Sequence, residues 1–299
     1  IHVRPEEARV DLVIGTQPSG QGHETSFAQV AASWLGISVD SVNVIVGDTD
    51  IVRAGGGSHS GRSMRMAGTV IVKAADILID RGKRIAAQVF EAADNDIEFE
   101  EGVFRVRGTD REISLFDLAR EGQERILPEE LSQGLSVIEQ NEMHTPVFPN
   151  GCHICEIEVD RDTGVPEITK YVAVDDVGRA INPLIVDGQT HGGIVQGVGQ
   201  ALWEECVFSE GQPLSGSFMD YGMPRADQFP NFGTALNEVP SPTNPLGVKA
   251  GGEGGTTPAP GVISNAIMNA LEEYGIRDIK MPFTPVKIWQ AIKDHESTA

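Results

Sequence analysis

Apolar residues along this chain follow two rhythms, and the switches between them mark out its elements. Val10 to Gly15 is a short apolar run that predicts a strand, passing into Thr16-Gln17-Pro18-Ser19-Gly20-Gln21-Gly22, a loop of turn formers. Phe27, Val30, Ala31, Trp34 and Leu35 then recur at helical spacing, and Gly36 predicts the helix end. Val42 to Gly47 returns as a second apolar strand. A second loop, Arg53 to Ser63, is rich in glycine and serine and precedes a long helical pattern through Val70, Ile71, Ala74, Ile77, Leu78, Ile85 and Val89. Ile97 to Glu100 and Val103 to Val106 flank Glu101-Gly102 as a hairpin, and Ser114 caps a short helix from Leu115 to Arg120.

From about Gly122 to Pro149 neither rhythm persists, which predicts a seam between lobe one, about 1–145, and lobe two, about 146–299. His153, Cys155, Ile157 and Val159 alternate with Ile154, Glu156, Glu158 and Asp160, the period of a strand. That strand turns at Asp162-Thr163-Gly164 and returns through Ile168 to Val174. Asp187-Gly188-Gln189 is expected to lead into a helix carrying Ile194, Val195, Val198, Ala201 and Leu202. Ser209 to Pro245 reads as one long loop, of the kind that tends to be functional. A last helical pattern runs through Val262, Ile263, Ala266, Ile267, Ala270 and Leu271 to Gly275.

Composition narrows the function classes. With 299 residues, 40% hydrophobic and 22% charged, the chain can bury one large core or two medium ones. A net charge of −21 disfavours nucleic acid as a partner, because phosphate binding needs clustered Lys and Arg. No apolar run approaches the roughly 20 residues of a membrane span, and no secretory pattern opens the chain, so a cytoplasmic location is expected. Three cysteines are too few for a disulfide scaffold and fit a reducing compartment. Cys152 and Cys155 form a C-x-x-C, but on a strand positions i and i+3 face opposite sides, which sets the sulfurs apart.

Four glycine-rich segments, Gly20 to Gly22, Gly55 to Gly61, Gly188 to Gly193 and Gly251 to Gly255, stand at or near predicted helix starts. Glycine admits a ligand close to backbone N–H groups, and a helix N-terminus offers unpaired donors, so an acidic protein can hold an anion there without lysines. Familiar alternatives fail in detail. Gly20-Gln21-Gly22 lacks the third glycine of the dinucleotide fingerprint, although Asp48 or Asp50 stands near the place of its ribose acid. No P-loop lysine motif and no G-x-S-x-G occur, and Phe27 replaces the second histidine that His23-Glu24 needs to be a zinc-protease motif. The most unusual segment is Asn244 to Gly261, where Glu253 stands alone among glycines. A carboxylate so framed can be approached closely and suits general-base chemistry, with Lys249 placed to bind phosphate or orient it; a plain surface loop is the other reading.

Taken together and in order, several motifs resemble the xanthine dehydrogenase and aldehyde oxidase family, with a flavour of the large subunits of bacterial carbon-monoxide-dehydrogenase type. They are Gly20-Gln21-Gly22-His23-Glu24-Thr25, Ser60-Gly61-Arg62-Ser63, Val174 to Pro183 with Gly188-Gln189, Val195-Gln196-Gly197-Val198-Gly199, and Gly247 to Glu253. The resemblance runs from near residue 10 to Pro285.

It implies an α+β fold of two intertwined lobes, mixed sheets with packed helices, equivalent to the second molybdenum-cofactor-binding domain of the molybdenum hydroxylases, the C-terminal part of the large subunit. It also implies molybdenum on molybdopterin, in its cytosine dinucleotide form. Gln21 and Gly22 would line the pterin or its nucleotide, and Ser58, Ser60, Gly61, Arg62 and Ser63 would hold phosphate and pterin oxygens. Gln189, Lys249, Gly251 and Gly252 would bind from the second lobe, none of these residues ligating the metal, and Glu253 would be the base. Implied partners are the N-terminal part of the large subunit, an iron–sulfur small subunit, an FAD-binding medium subunit and a small-molecule substrate: an aldehyde, an N-heterocycle or carbon monoxide, oxidised with water as oxygen source. By the same comparison the segment alone is an incomplete active site. A catalytically silent or assembly role, or nucleotide binding without redox chemistry, are the rival expectations.

Overall fold

The structure, a computed structural model, describes residues 1–298, which fall into two units. The first takes in Ile1–Val147 and also Ser241–Val248; the second takes in Phe148–Pro240 and the chain from Lys249 onward. The second chain crossing, at 241–248, lies well outside the seam expected near 145.

In the first unit, β1 (His2–Arg4) and β2 (Arg9–Val13) pair antiparallel; α1 (His23–Leu35) then leads to β3 (Val42–Ile45), parallel to β2. α1 ends as expected, with Gly36 left-handed and its N–H bonded to the Ala32 carbonyl. α2 (Ser63–Phe90) packs on α1, burying Phe27, Val30, Ala31 and Leu35 with Ile71, Ala75 and Leu78. β4 (Ile97–Glu100), β5 (Val103–Val106) and β6 (Glu112–Ser114) form an antiparallel meander, followed by α3 (Leu115–Glu124), whose Asp117 N–H is capped by Ser114 Oγ.

The unpatterned stretch after α3 is held without an apolar stripe. Arg65 donates to the Thr145 carbonyl, Lys73 to Asn141 Oδ1 and Arg81 to the Ser136 carbonyl, while Arg84 pairs with Glu130. These α2 cations hold the stretch along the helix in antiparallel sense, and buried Leu131, Leu135 and Val137, with backbone bonds from Val3 N–H to the Leu135 carbonyl and from Val137 N–H to the Ile1 carbonyl, anchor it, a set of contacts that leaves no periodic signature.

In the second unit, β7 (Asn150–Val159) and β8 (Pro166–Asp176) form a long antiparallel hairpin. Cys155 faces the core and Cys152 is exposed, so the two sulfurs part as the strand period predicts. α4 (Pro183–Leu202) follows, then the two-residue strands β9 (Phe208–Ser209) and β10 (Gln212–Pro213), and β11 (Phe232–Leu236). β11 adds to β8 in parallel, giving the order β11-β8-β7. The long loop expected from Ser209 to Pro245 therefore contains a sheet strand, too short and glycine-broken to read as one. α5 (Ala259–Ala270) and α6 (Pro285–Thr298) complete the unit, whose core gathers Tyr171, Ile194, Val198, Leu202, Ile263, Ile267, Ile288 and Ile292. Among the described residues, no helix is long and apolar enough to cross a membrane.

A second correction concerns Gly188 to Gly193. This segment is no loop before a helix; it lies inside α4, which starts five residues earlier with Pro183 after an Asn182 cap on the Ile185 N–H. Five glycines in this helix oppose it by about 1 kcal/mol each. Close packing onto the segment that follows Glu253 explains why at least two of them are there.

Candidate functional site

The sequence-predicted residues fall into one set in each unit. In the first unit, the loops Gly15 to Gly22 and Ala54 to Ser63 come together backbone to backbone: a Cβ on Gly15 would overlap the Ala54 carbonyl, and one on Gly55 would overlap the Gly15 carbonyl. Only glycine permits that approach. Gly55→Ala is expected to destabilise the chain by about 3 kcal/mol, the upper range for overpacking; an unchanged urea midpoint would contradict this contact.

Hydroxyl groups then link the two loops, and proton counting gives the link a direction. Thr16 Oγ1 donates to the Gly57 carbonyl (3.1 Å), so Ser63 Oγ must donate to Thr16 (2.8 Å). Ser58 Oγ consequently donates to Ser63 (2.7 Å) and accepts from Gln21 Nε2 (2.8 Å). Gln21 Oε1, turned the other way, accepts the Ser19 N–H. A one-way chain of this kind strengthens each of its bonds and fixes the side chains it joins. Sequence reasoning found Gln21, Ser58 and Ser63 but missed Thr16, which is buried; its place among turn formers was the available signal.

The other predicted residues of this set stay outside that chain. Gly22 is the left-handed N-cap of α1, and Gly61 precedes Arg62, the N-cap of α2. Ser60 is exposed and bonds to His59 Nδ1, while the Arg62 guanidinium donates to His59 Nε2 at 3.2 Å.

The second unit centres on Glu253. Its carboxylate is exposed and has no hydrogen-bond partner among the described residues. The surrounding backbone, by contrast, is anchored on several sides. Lys249 N–H donates to the Val177 carbonyl (2.7 Å), and Lys249 Nζ bonds to Asp176 Oδ2 (2.5 Å). Gln189 Nε2, reaching from α4, donates to the Gly252 carbonyl (3.0 Å). Thr256 Oγ1 donates to the Gly193 carbonyl (2.7 Å), where Gly193 and Gly255 pack too closely for a side chain on either. Gly251 rests on Val177. Lys249, Gly251, Gly252, Gln189 and Glu253 are thus brought together, with Lys249 committed to an internal carboxylate.

Asp176 lies in the Val174 to Pro183 motif but was given no role by sequence reasoning, and it organises three segments. Its Oδ1 accepts from the N–H groups of Gly178 (2.8 Å) and Val239 (3.1 Å), and its Oδ2 holds Lys249. Burial opposes its ionisation, but these hydrogen bonds and the lysine charge outweigh it and hold the carboxyl below its ordinary range.

Comparison with known proteins decides the family. The family model described as the molybdopterin cofactor-binding domain matches residues 1–230. The chain belongs to that family. Over 284 residues it is 32% identical to the carbon monoxide dehydrogenase large chain of Hydrogenophaga pseudoflava, covering 94% of this chain and 35% of that one. Subunit gamma of the 6-hydroxypseudooxynicotine dehydrogenase complex of Paenarthrobacter nicotinovorans is 36% identical over 286 residues, covering 94% of this chain and 36% of that one. The reconstituted CO dehydrogenase from Oligotropha carboxidovorans superposes with a TM-score of 0.89 at 32% identity, covering 97% of this chain and 36% of its own. This molybdopterin cofactor-binding domain therefore spans about a third of the length of the large chains it matches. The mixed α+β architecture agrees with the solved relative.

The surfaces described above fit such a cofactor. α1 and α2 begin with no side chain capping their first turns, leaving N–H donors unspent by side chains. Apart from chain neighbours, no heavy atom stands within 4 Å of where a Cβ on Gly20, Gly57 or Gly252 would be, so these backbone faces are open to a ligand.

Proposed function

We propose that this molybdopterin cofactor-binding domain is the C-terminal, base-bearing part of a molybdenum hydroxylase large chain, with Glu253 as the catalytic base. The observation that carries the reading is the contrast at Glu253: an unpartnered, exposed carboxylate on a backbone anchored through Asp176, Gln189 and Thr256. Such anchoring holds a proton acceptor in place without consuming its lone pairs, which is what general-base catalysis requires.

In this reading Gln21, Gly22 and the Ser58 to Ser63 loop donate hydrogen bonds to the phosphate and pterin oxygens of a molybdopterin cytosine dinucleotide, and Gln189, Gly251 and Gly252 are cofactor-binding residues as well. Lys249 acts through Asp176, bracing the loop. When bound, the molybdenum cofactor supplies oxygen activation and an acceptor for the substrate's electrons. Glu253 Oε takes up the proton released at that centre and returns it to solvent from its exposed position. The names of the relatives support carbon monoxide or an N-heterocycle as substrate, with an aldehyde as the third candidate. The remainder of the large chain, an iron–sulfur subunit and an FAD-binding subunit complete the enzyme. The free thiols Cys152, Cys155 and Cys206 support a cytoplasmic setting.

The test is chemical analysis of the complex purified with this chain. Molybdenum and acid-released cytidine monophosphate are expected in equal amounts, together with dye reduction by one of the three substrate classes. Molybdenum without nucleotide would overturn the dinucleotide form. No molybdenum, with tight ATP or NAD binding instead, would overturn the reading as a whole.

A further inference from the structure

A buried polar chain that this mechanism does not use lies directly under the glutamate loop. His153 on β7 is in register with Ala173 on β8, so Tyr171 and Asp175, two residues to either side of Ala173, share its face of the sheet. The His153 side chain is 1% exposed, with Nδ1 3.0 Å from the Tyr171 hydroxyl and Nε2 3.1 Å from Asp175 Oδ1. Tyr171 is fully buried, its ring edge-on to both His153 and Phe232. Asp175 Oδ2 lies 3.8 Å from where a Cβ on Gly254 would stand, and the Asp175 carbonyl accepts the Asn237 N–H (2.9 Å).

We propose that Tyr171, His153 and Asp175 form a positioning network that sets the Glu253 loop: tyrosine fixes the imidazole, and the imidazole turns the Asp175 carboxylate against Gly254. Donor counting gives the direction. A carboxylate only accepts, so Nε2 must carry the proton it shares with Asp175 Oδ1. Burial pushes the Tyr171 phenol above its ordinary range, so it keeps its proton and donates it to Nδ1. The resulting Nε2–H tautomer is set by the carboxylate rather than chosen by solvent, and the tyrosine completes it by donating to Nδ1. With Oδ1 held by the histidine, Oδ2 is directed at the loop. Asp176, the next residue, holds Lys249 on the same loop, so adjacent carboxylates at the end of β8 brace its two halves.

The inference rests on reading the Glu253 loop as functional, but its test needs no metal. Hydrogen exchange would be followed at the amides of 250–257 in the apo chain, with 15N imidazole shifts reporting the tautomer. Wild type and Tyr171→Phe are both expected to show Nε2–H, held there by the carboxylate, and Asp175→Asn, whose amide can donate or accept, a mixture of tautomers. Asp175→Asn and His153→Leu are expected to speed loop exchange by about tenfold, the effect of losing one charge-assisted bond. His153→Gln, whose amide can still donate to Asp175, should restore most of the protection. Amides in α5 and in β8 before Tyr171 serve as the control for general loosening. A protonated Nδ1 in wild type, unchanged loop exchange in Asp175→Asn, or loss spread equally over the control amides would each overturn the proposal. Absence of molybdenum from the assembled complex would refute the proposed function and leave this network standing.

Discussion

Glu253→Gln is expected to lower kcat of the assembled enzyme by about 10²- to 10⁴-fold, the usual contribution of a positioned base, while leaving molybdenum content unchanged. Glutamine keeps the shape of the side chain and loses only its capacity to take a proton. Because the wild-type carboxylate has no hydrogen-bond partner among the described residues, the exchange breaks no contact described in the chain. Stability should therefore stay within about 0.5 kcal/mol of wild type, as for exposed substitutions away from special features. Turnover with the natural electron acceptor, metal analysis and urea unfolding on the same preparation separate the two effects. Normal turnover in the variant would remove Glu253 from the mechanism.

Asp176→Asn is expected to have the largest effect on stability, about 3–5 kcal/mol, the cost of leaving a buried charge without its partner. The side chains of Asp176 and Lys249 are only 10% and 12% exposed, so water cannot replace the lost carboxylate. Lys249→Met should cost a similar amount by stranding the carboxylate. The double variant should be less destabilised than the sum of the two, because neither charge is then left alone. The folded state holds the Asp176 carboxyl below its ordinary range, so its contribution is fully present above the unfolded value near pH 4. It is lost as pH falls through the lower folded value. Urea unfolding between about pH 5 and 2 should show a steep acid limb in wild type and a flatter one in Asp176→Asn; parallel limbs would mean the pair contributes nothing.

Elements whose cause is local were legible in the sequence. The helical spacing of Phe27, Val30, Ala31, Trp34 and Leu35, with Gly36 after it, gives α1 and its end directly. The same holds for the hairpin at Glu101-Gly102, the Ser114 cap, and the alternation that sets Cys155 inward and Cys152 outward. Glycine clustering also pointed to the segments that meet: Gly15 and Gly55 in the first unit, Gly193 and Gly255 in the second. The motifs that signalled the family are those of a chain that does belong to it.

Contacts between residues far apart in sequence decided the rest. β11 is a strand because β8 offers it a parallel partner some sixty residues earlier, and nothing within Phe232–Leu236 announces that. Gly188 to Gly193 looked like a loop because glycine disfavours helix, yet the close approach of α4 to Gly255 and Thr256 requires a helix without side chains there. Ser241–Val248 joins the first unit although both its flanks belong to the second. Asp175, His153 and Tyr171 are ordinary residues on ordinary strands until the register of β7 and β8 sets them on one buried face. By itself the sequence determined the local elements, the family and Glu253 as the candidate base. Only the tertiary structure decided what holds that base in place, because hydrogen bonds and ion pairs between distant residues leave no periodic mark on the chain that makes them.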